Sequence, residues 1–588
     1  MDATPPSSES LSRLSHNLQK WWQWALDAWN STGVVMRNEW RLLRRRQLDY
    51  VVMPVGGPLP ERAGPPRNFI QRHLPLPPEP LSMQALNNRL RAIADASNVK
   101  GVILILESLD IGLATAGNLR RSIQRLRSAG KKVIVYTPHL DLGHYFVASA
   151  AEQIIVPPTT RFDVVGVRSE VVFVKETLAR LGIEADVLQI SPYKTAYNAL
   201  SHQDMSPEQR EQLNWLLDDT FDLVTAGMAE GRGKSQAEIK TLIDQAPLSA
   251  QAAQAAGLVD HLAYEDELEK LLAEGERPAK LLPWSHAYSM LMEKARRITE
   301  KYIGVISLQG LIAMGPSRQP PVDLPLPYVG GEIAGEQTLL QLLRVAERSE
   351  WMAAVILHVD SGGGSALASD LIGREIKRLN EKKPVLAYMG NLAASGGYYV
   401  SAPARHIMSQ SSTITGSIGV LTMRLNTAGL YEKLGVNRVS LHRGQHAGLY
   451  SDLAPLSAEE RELLWREVAD TYQAFKQVVA DGRQLALNGL DTICEGRVWS
   501  GRQALGHKLV DSHGDFVDAI NQAAILAGLP VDDAHHIPVA NLYVRGREYI
   551  LPQPLAALQQ LWRTFLEGQV AEWNGRPLCL LPYTIRLV

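Results

Sequence analysis

An internal repeat of about 250 residues constrains the fold of this chain more than any other feature of its sequence. The offset between matching segments is 253 residues in the earlier part of each copy and 251 residues in the later part. Self-similarity at a fixed spacing indicates a duplicated structural unit. We therefore predict two copies of one domain. The matching segments are residues 102–104 with 355–357, 143–147 with 396–400, 205–210 with 456–461, and 258–260 with 509–511.

Each copy alternates short apolar runs with amphipathic helical stretches. In the first copy, residues 102–106 and 132–136 are apolar runs typical of buried strands, and a helical pattern around 119–126 separates them. This alternation predicts βα units around a mostly parallel sheet, so the fold class is α/β. We place the domains at residues 1–49 (a start segment and amphipathic helix), 50–298 (first repeat), 299–534 (second repeat) and 535–588 (a C-terminal extension).

The composition gives no support to several classes of protein. A net charge of −2 offers no reason to expect nucleic acid as a partner. Cys494 and Cys579 lie far apart and lack metal-ligand spacing, so we predict free thiols and neither a disulfide framework nor a metal site. No run of 18 apolar residues occurs, so no transmembrane helix is expected. The first residues also lack the basic-then-apolar layout of a secretory signal.

Residues 11–46 nevertheless suggest contact with a membrane surface. Their apolar positions recur at helical spacing, and five of the 12 tryptophans of the chain lie within its first 40 residues. Four arginines follow between residues 41 and 46. Tryptophan beside basic residues is typical of a helix lying in a membrane interface. We predict a peripheral, membrane-associated protein, on a side of the membrane that the sequence does not specify. The alternative is a helix that docks on an oligomer or a partner chain.

The first candidate for chemistry is Ser395. It follows the short apolar strand at residues 384–388 and precedes Gly396 and Gly397. A serine between small residues at a strand-to-helix turn can be held with its hydroxyl beside a backbone N–H, as in a nucleophile elbow. The plain alternative is a tight turn of small residues. The aligned position in the first copy is Leu142, so only the second copy carries this serine.

A glycine-rich turn adds a second element to the same copy. Residues 360–365 read Asp-Ser-Gly-Gly-Gly-Ser directly after a predicted buried strand. Consecutive glycines allow the main chain to present N–H groups to an anion, as in an oxyanion hole. The first copy has Glu-Ser-Leu-Asp-Ile-Gly at residues 107–112, which is poorly suited to that purpose. The nucleophile and its oxyanion donors are therefore both assigned to the second repeat.

The missing part is a base, because a serine hydroxyl is a weak nucleophile until a group accepts its proton. The histidines of the second copy are scattered along the chain. Lys194 follows a predicted strand at residues 185–190 of the first copy, whereas the aligned segment 443–447 has no lysine. A lysine can act as a general base if burial lowers its pKa towards neutrality. Each repeat thus retains what the other lacks.

With these motifs in place, the chain resembles the long, duplicated form of the signal peptide peptidase A family, serine proteases of the Clp/crotonase-like superfamily. The resemblance covers roughly residues 50–530. It rests on Tyr-Lys-Thr-Ala at 193–196, Asp-Met-Ser-Pro at 204–207, the glycine turn at 361–365, Ala-Ala-Ser-Gly-Gly-Tyr at 393–398, Thr-Gly-Ser-Ile-Gly at 415–419 and Leu-Val-Asp at 509–511.

The resemblance implies a Ser/Lys dyad of Ser395 and Lys194, with Ser417 orienting the lysine. It implies an oxyanion hole formed by the N–H groups of Gly363 or Gly364 and of Gly396. It also implies a homotetramer that cleaves signal-peptide remnants and other apolar or unfolded peptides without a metal or other cofactor. The chain departs from the family pattern in lacking a transmembrane anchor, in having Gly362 where proline is usual, and in its C-terminal extension.

Two other functions are compatible with parts of this pattern. A crotonase-type acyl-CoA enzyme would share the glycine-rich oxyanion turn but would need no serine–lysine pair. A catalytically silent scaffold assembled on membranes would need neither. The complementary retention of Lys194 and Ser395 favours the protease.

Overall fold

The computed structural model describes residues 32–41, 48–64, 79–318, 332–544 and 578–580. The predicted α/β fold built from two related repeats is confirmed. Residues 11–31 of the predicted amphipathic segment lie outside the described residues. The predicted domain boundaries stay predictions.

The first half contains a six-stranded sheet, ordered β8-β4-β3-β2-β1-β9, in which every pairing is parallel. The strands of this half are β1 (Tyr50–Gly57), β2 (Gly101–Leu109), β3 (Lys132–Tyr136), β4 (Gln153–Val156), β5 (Arg161–Phe162), β6 (Glu184–Gln189), β7 (Leu248–Ser249), β8 (His261–Leu262) and β9 (Leu281–Pro283). Its helices are α1 (32–41), α2 (Met83–Asp95), α3 (Leu113–Ser128), α4 (Leu142–Ala148), α5 (Lys175–Leu181), α6 (Asn198–Ser201), α7 (Pro207–Arg232), α8 (Gln236–Asp244), α9 (Ala250–Ala255), α10 (Leu268–Leu271) and α11 (Trp284–Ala287).

The second half repeats this arrangement with the strand order β21-β17-β16-β14-β11-β23, again with every pairing parallel, and β18 and β20 extend the same sheet from β16. Its strands are β10 (Arg297–Ile298), β11 (Tyr302–Gln309), β12 (Leu311–Ala313), β13 (Ile333–Gly335), β14 (Met352–Ser361), β15 (Gly363–Ser365), β16 (Val385–Ala394), β17 (His406–Ser409), β18 (Ile414–Gly416), β19 (Leu421–Asn426), β20 (Val498–Ser500), β21 (Ser512–His513), β22 (His535–His536), β23 (Val539–Asn541) and β24 (Leu578–Leu580). Its helices are α12 (Glu336–Arg348), α13 (Ala366–Lys382), α14 (Gly396–Ser401), α15 (Ala428–Lys433), α16 (Ala458–Arg483), α17 (Gly501–Gly506) and α18 (Phe516–Leu526).

The duplication is visible in the register of the central strands. Tyr50 of β1 pairs with Gly101 of β2, and Tyr302 of β11 pairs with Met352 of β14. Both central strands, β2 and β14, begin with nearly continuous buried apolar runs, because helices cover both faces of a parallel sheet. The aligned residues 102–104 and 355–357 are fully buried. The repeat seen in the sequence is therefore a repeat of sheet cores.

One element of the first half does not stay with its own sheet. Strand β6 pairs antiparallel with β19 of the second half, from Gln189 opposite Leu421 to Glu184 opposite Asn426. It belongs to a third sheet ordered β13-β12-β15-β24-β19-β6. The residues that follow β6 therefore lie next to the second half.

Helix α1 covers part of the segment expected to contact a membrane. It is anchored on the first half, where Arg37 and Arg41 form ion pairs with Glu293 at 2.7 and 2.8 Å. Met36 and Trp40 remain exposed at 68% and 57%. None of the helices in the described part of the chain is long and apolar enough to cross a membrane.

Candidate active site

Ser395 lies where strand β16 ends and helix α14 begins. Its φ of 56° and ψ of −114° are uncommon for a residue with a side chain, and such strain persists only where the surroundings hold it. The Ser395 N–H donates to the Gly416 carbonyl at 2.8 Å, and its side chain is fully buried. The next residue must be glycine, because a Cβ on Gly396 would lie 2.7 Å from Ser369 Oγ. The small residues are thus required by close packing around the serine.

Lys194 lies in the segment between β6 and α6 and is fully buried. Its Nζ is 2.6 Å from Ser395 Oγ, 2.8 Å from the Ser417 carbonyl oxygen and 2.9 Å from Ser417 Oγ. The structure therefore brings together the three side chains that the sequence singled out. Lys194 and Ser395 meet within one chain, although 201 positions separate them.

The transfer of β6 to the second half places Lys194. The β6–β19 ladder continues into a hydrogen bond from the Ile190 N–H to the Val420 carbonyl at 3.1 Å. Ser191 Oγ then donates to the Glu495 carbonyl, which ties the following turn to a loop of the second half. Lys194 follows three residues later. A first-repeat lysine is consequently held by second-repeat backbone.

Two glycines make room for the lysine. A Cβ on Gly496 would lie 2.7 Å from both Cα and Cβ of Lys194, and Gly496 has a φ of +81°. A Cβ on Gly419 would lie 3.3 Å from Lys194 Cδ. At position 496, only glycine permits such an approach together with a positive φ. Gly419 lies in the Thr-Gly-Ser-Ile-Gly motif, whereas no sequence signal marked Gly496.

Ser417 is also held in an unusual conformation. Its φ is +50°, and its N–H donates to the Arg497 carbonyl at 2.6 Å. Gly416, with a φ of +78°, precedes it at the end of β18. Both the hydroxyl and the carbonyl of Ser417 therefore face Lys194 Nζ from a backbone fixed on both sides.

The glycine-rich turn lies beside Ser395. A Cβ on Gly396 would be 3.0 Å from Gly363 Cα and 3.2 Å from the Gly364 nitrogen. Gly363 and Gly364 have φ values of +101° and +155°. The Gly363 N–H donates to Ser361 Oγ at 3.1 Å, so this candidate donor already has a partner. The turn and the start of α14 thus form one continuous backbone surface next to the serine.

Aromatic side chains line the outer side of the lysine turn. Tyr193 stacks on Trp215 with ring centroids 6.1 Å apart, and Trp215 stacks on Trp499 at 5.1 Å. The Arg497 guanidinium lies over the Tyr193 ring, 4.1 Å from its centroid. Trp215 also donates from Nε1 to the Val498 carbonyl at 2.9 Å, which joins α7 to β20. This stack was not expected from the sequence, because its members come from distant segments.

A group of polar side chains from both repeats forms hydrogen bonds with residues of strand β16. Asn118 Nδ2 lies 2.8 Å from both Glu61 Oε2 and Tyr388 Oη, and it donates to both. Asp360 Oδ1 accepts from the Leu392 N–H at 3.0 Å.

Burial raises the pKa of Asp360 to about 6. Burial and the nearby Asp515 carboxylate raise the pKa of Glu61 to about 8. Two carboxyl groups with raised pKa values therefore lie between the halves.

None of the histidines in the described ranges lies within hydrogen-bond reach of Ser395 Oγ or Lys194 Nζ. His358 is buried in the second-half sheet, and burial lowers its pKa to about 3. Across the described ranges, no group of three or more His, Cys, Asp and Glu side chains could hold a metal ion. The basic group within reach of Ser395 is Lys194.

Comparison with known proteins gives a consistent result. The model of "Peptidase family S49" matches residues 125–278 and 377–530, one match in each repeat. "Serine protease SPPA, chloroplastic" of Arabidopsis thaliana is 33% identical over 459 residues, which are 77% of this chain and 67% of that protein. "Protease 4" of Haemophilus influenzae is 30% identical over 75% of this chain and 72% of its own length. "Protease 4" of Salmonella typhi is 29% identical over 75% and 71%.

Proposed function

The chain belongs to peptidase family S49 and is a serine-type peptidase, and we propose that Ser395 is its nucleophile and Lys194 its general base. The observation that carries this proposal is the separation of 2.6 Å between Lys194 Nζ and Ser395 Oγ. A general base must lie within hydrogen-bond reach of the proton that it removes, about 2.6–3.2 Å between heavy atoms. This pair meets that requirement without any rearrangement.

The three oxygens around Lys194 Nζ suit an uncharged amine. A neutral amine has two N–H donors and one lone pair. The Ser417 carbonyl and hydroxyl oxygens can accept the two N–H groups, which leaves the lone pair directed at the Ser395 hydroxyl. Full burial of Lys194 also disfavours its charged form. Ser417 acts in this proposal as a positioning residue.

The reaction then follows from these positions. Ser395 Oγ attacks the scissile carbonyl carbon while Lys194 Nζ takes the hydroxyl proton. The tetrahedral intermediate collapses, the C–N bond breaks, and Lys194 returns the proton to the leaving amine. A water molecule, deprotonated by the same lysine, then attacks the acyl-enzyme ester, and the lysine gives that proton to Ser395 Oγ as the ester C–O bond breaks. Splitting amide hydrolysis into two steps through a covalent intermediate is the established benefit of an activated serine.

The developing oxyanion is stabilised in this proposal by backbone N–H groups. The donors are the N–H of Gly396 and an N–H of the Gly363–Gly364 turn, which lies against Gly396. Loss of one such donor typically lowers kcat by about 100- to 1,000-fold. The partner that Gly363 already has in Ser361 favours Gly364 as the second donor.

We infer the substrates and setting from the resemblance to signal peptide peptidase A. The substrates are signal-peptide remnants and other apolar or unfolded peptides. The assembly is a homotetramer. Residues 11–46 provide peripheral membrane contact, and the exposed Met36 and Trp40 of α1 fit that role.

The proposal is tested with a serine-directed acylating inhibitor and an unfolded apolar peptide substrate. Wild type is expected to incorporate one label per chain at Ser395, located by peptide mass spectrometry. Lys194→Ala should lower kcat/KM about 10,000-fold, the upper range for general acid–base catalysis, and keep its melting temperature and assembly. Ser417→Ala should retain partial activity. Lys131→Ala is a matched control, because burial lowers the pKa of Lys131 but its Nζ donates to the Val99 carbonyl of the first repeat, away from Ser395.

Two results would contradict this reading. Peptide cleavage at the wild-type rate by Lys194→Ala would exclude the dyad. Full activity of Ser395→Ala, together with turnover of an acyl-CoA substrate, would favour a crotonase-type enzyme instead.

A further inference from the structure

The C-terminal segment Leu578–Leu580 forms a strand in the third sheet, next to the proposed catalytic site. Strand β24 pairs antiparallel with β15, with Leu580 opposite Gly363, Cys579 opposite Gly364 and Leu578 opposite Ser365. On its other edge, Leu578 pairs antiparallel with Leu421 of β19. The segment therefore lies between the glycine-rich turn and the strand that anchors the lysine.

The position of β24 is that of an inserted strand. In the order β13-β12-β15-β24-β19-β6, it is the only link between β15 and β19 among the described residues. Both neighbours run antiparallel to it, so they run parallel to each other. Without β24, two sheet edges would face each other across a gap one strand wide. Such a gap binds an extended peptide through main-chain hydrogen bonds on both edges.

This gap opens directly on the reacting groups. Strand β15 contains Gly363 and Gly364, and the Gly364 nitrogen lies beside Gly396. Strand β24 also contacts helix α14, which begins directly after Ser395. On the opposite side, β19 pairs with β6, whose chain leads to Lys194. A peptide bound here passes between the oxyanion donors and the base.

We propose that residues 578–580 are an intrachain ligand of the substrate groove, which inhibits the peptidase by occupying the place of an extended apolar substrate. This inference rests on the proposed function of Ser395 and Lys194. It assigns the direction of the substrate, antiparallel to both β15 and β19. It also assigns the chain's own C-terminal segment as a competitor for that site.

The sequence of the segment fits such a ligand. Leu578-Cys579-Leu580-Leu581 is an apolar run bracketed by Pro577 and Pro582. Proline cannot donate a ladder hydrogen bond, so the prolines restrict strand pairing to the residues between them. No charged residue occurs from 577 to 585. The run therefore has the composition expected of the substrates and a built-in limit on its length.

The size of the effect follows from tethering. A ligand tethered to the protein that binds it can have an effective concentration of about 1 mM at its site. If the free segment binds with a Kd of about 0.1 mM, the tethered segment raises the KM for an external peptide about tenfold. Since a bound external peptide displaces the segment completely, kcat is unchanged.

The first experiment compares full-length variants. Leu578→Pro with Leu580→Pro removes two ladder donors from β24, and Thr584→Pro adds a proline to the same tail beyond Pro582. Cleavage of an apolar fluorogenic peptide is measured against substrate concentration, with the melting temperature as a check of folding. The double variant should show a KM about tenfold lower at unchanged kcat. The Thr584→Pro control should match wild type. A double variant with the wild-type KM would overturn the proposal.

A binding experiment separates this inference from the proposed function. A fluorescein-labelled peptide of residues 575–585 is titrated into Ser395→Ala chains, with and without the two prolines, and anisotropy is measured. The peptide should bind the proline-containing chain at least fivefold more tightly. This readout needs no catalysis, so it stands even if no form cleaves peptides. Equal affinity for the two chains would show that the segment does not occupy the groove.

Discussion

A single methyl group at Gly496 tests whether the position of Lys194 controls catalysis. In the structure a Cβ on Gly496 would lie 2.7 Å from Lys194 Cα and Cβ and 2.8 Å from its backbone nitrogen. These neighbours are main-chain atoms or atoms attached directly to the main chain, so they cannot move aside as a flexible side-chain end does. Carbon atoms in contact prefer a separation of about 3.5–4.0 Å. Gly496→Ala therefore requires a displacement of the Lys194 backbone by about 1 Å.

The displacement sets the expected loss of activity. If 1 Å is passed on to Nζ, its separation of 2.6 Å from Ser395 Oγ becomes about 3.6 Å, which is no longer a hydrogen bond. A misplacement of about 1 Å can reduce catalysis about 100-fold. This corresponds to about 2.7 kcal/mol of transition-state stabilisation. We expect kcat to fall about 100-fold, with KM nearly unchanged, because the methyl group faces the lysine.

Gly444→Ala is the matched control for this experiment. Gly444 has a φ of +93°, close to the +81° of Gly496, but a Cβ there would have no atom within 4 Å. Both substitutions place alanine in the left-handed region, at about 1–2 kcal/mol each. Only Gly496→Ala adds the contact with Lys194. Steady-state kinetics, the rate of Ser395 acylation by a serine-directed inhibitor and the melting temperature are measured for both.

Either of two patterns would show that the contact between Gly496 and Lys194 does not control catalysis. If Gly496→Ala keeps kcat within twofold of wild type, then the approach of this glycine does not position the lysine. If both variants lose kcat equally, the loss comes from backbone strain and not from contact with Lys194.

Two further predictions concern the contact between the repeats and the N-terminal segment. The folded chain holds the Glu61 proton up to a pKa of about 8, whereas an unfolded chain releases it near the ordinary glutamate pKa of 4.5. The folded state therefore binds more protons between these values, and stability should fall as pH rises from 6.5 to 8, by at most about 1.4 kcal/mol per pH unit. Glu61→Gln should flatten this loss in thermal unfolding at the two pH values, and an unchanged slope would exclude Glu61 as its source. Deleting residues 1–31, which removes four tryptophans but keeps α1, should reduce co-sedimentation with anionic lipid vesicles. Equal co-sedimentation of both forms would show that this segment is not the membrane contact.

Much of the fold could be predicted from local patterns. Apolar runs such as residues 102–106 and 355–357 formed buried parallel strands, because continuous apolar sequence requires cover on both faces. The small residues around Ser395 formed the predicted strand-to-helix turn, because such a turn depends mainly on residues that are adjacent in the sequence. The predicted strand at 185–190 appeared as Glu184–Gln189. Its partner strand could not be predicted.

The residues that hold Lys194 in place could be predicted only in part from local sequence patterns. Gly419 belongs to the Thr-Gly-Ser-Ile-Gly motif, but no sequence motif marks Gly496, because its role depends on a contact with a residue about 300 positions earlier. The stack of Tyr193, Trp215 and Trp499 likewise joins three distant segments. A glycine or tryptophan in isolation carries no information about which backbone will approach it.

The sequence by itself determined that the chain is a duplication and that the repeats are complementary. Ser395 aligns with Leu142 of the first copy, and Lys194 has no aligned lysine in the second copy. Only the tertiary structure decided that the lysine reaches the serine within one chain, because β6 leaves the first half and pairs with β19. The same holds for β24, which pairs with β15 from the far end of the chain. Strand pairing joins backbone groups that every residue carries, so the choice of partner depends on which edges the completed fold leaves open.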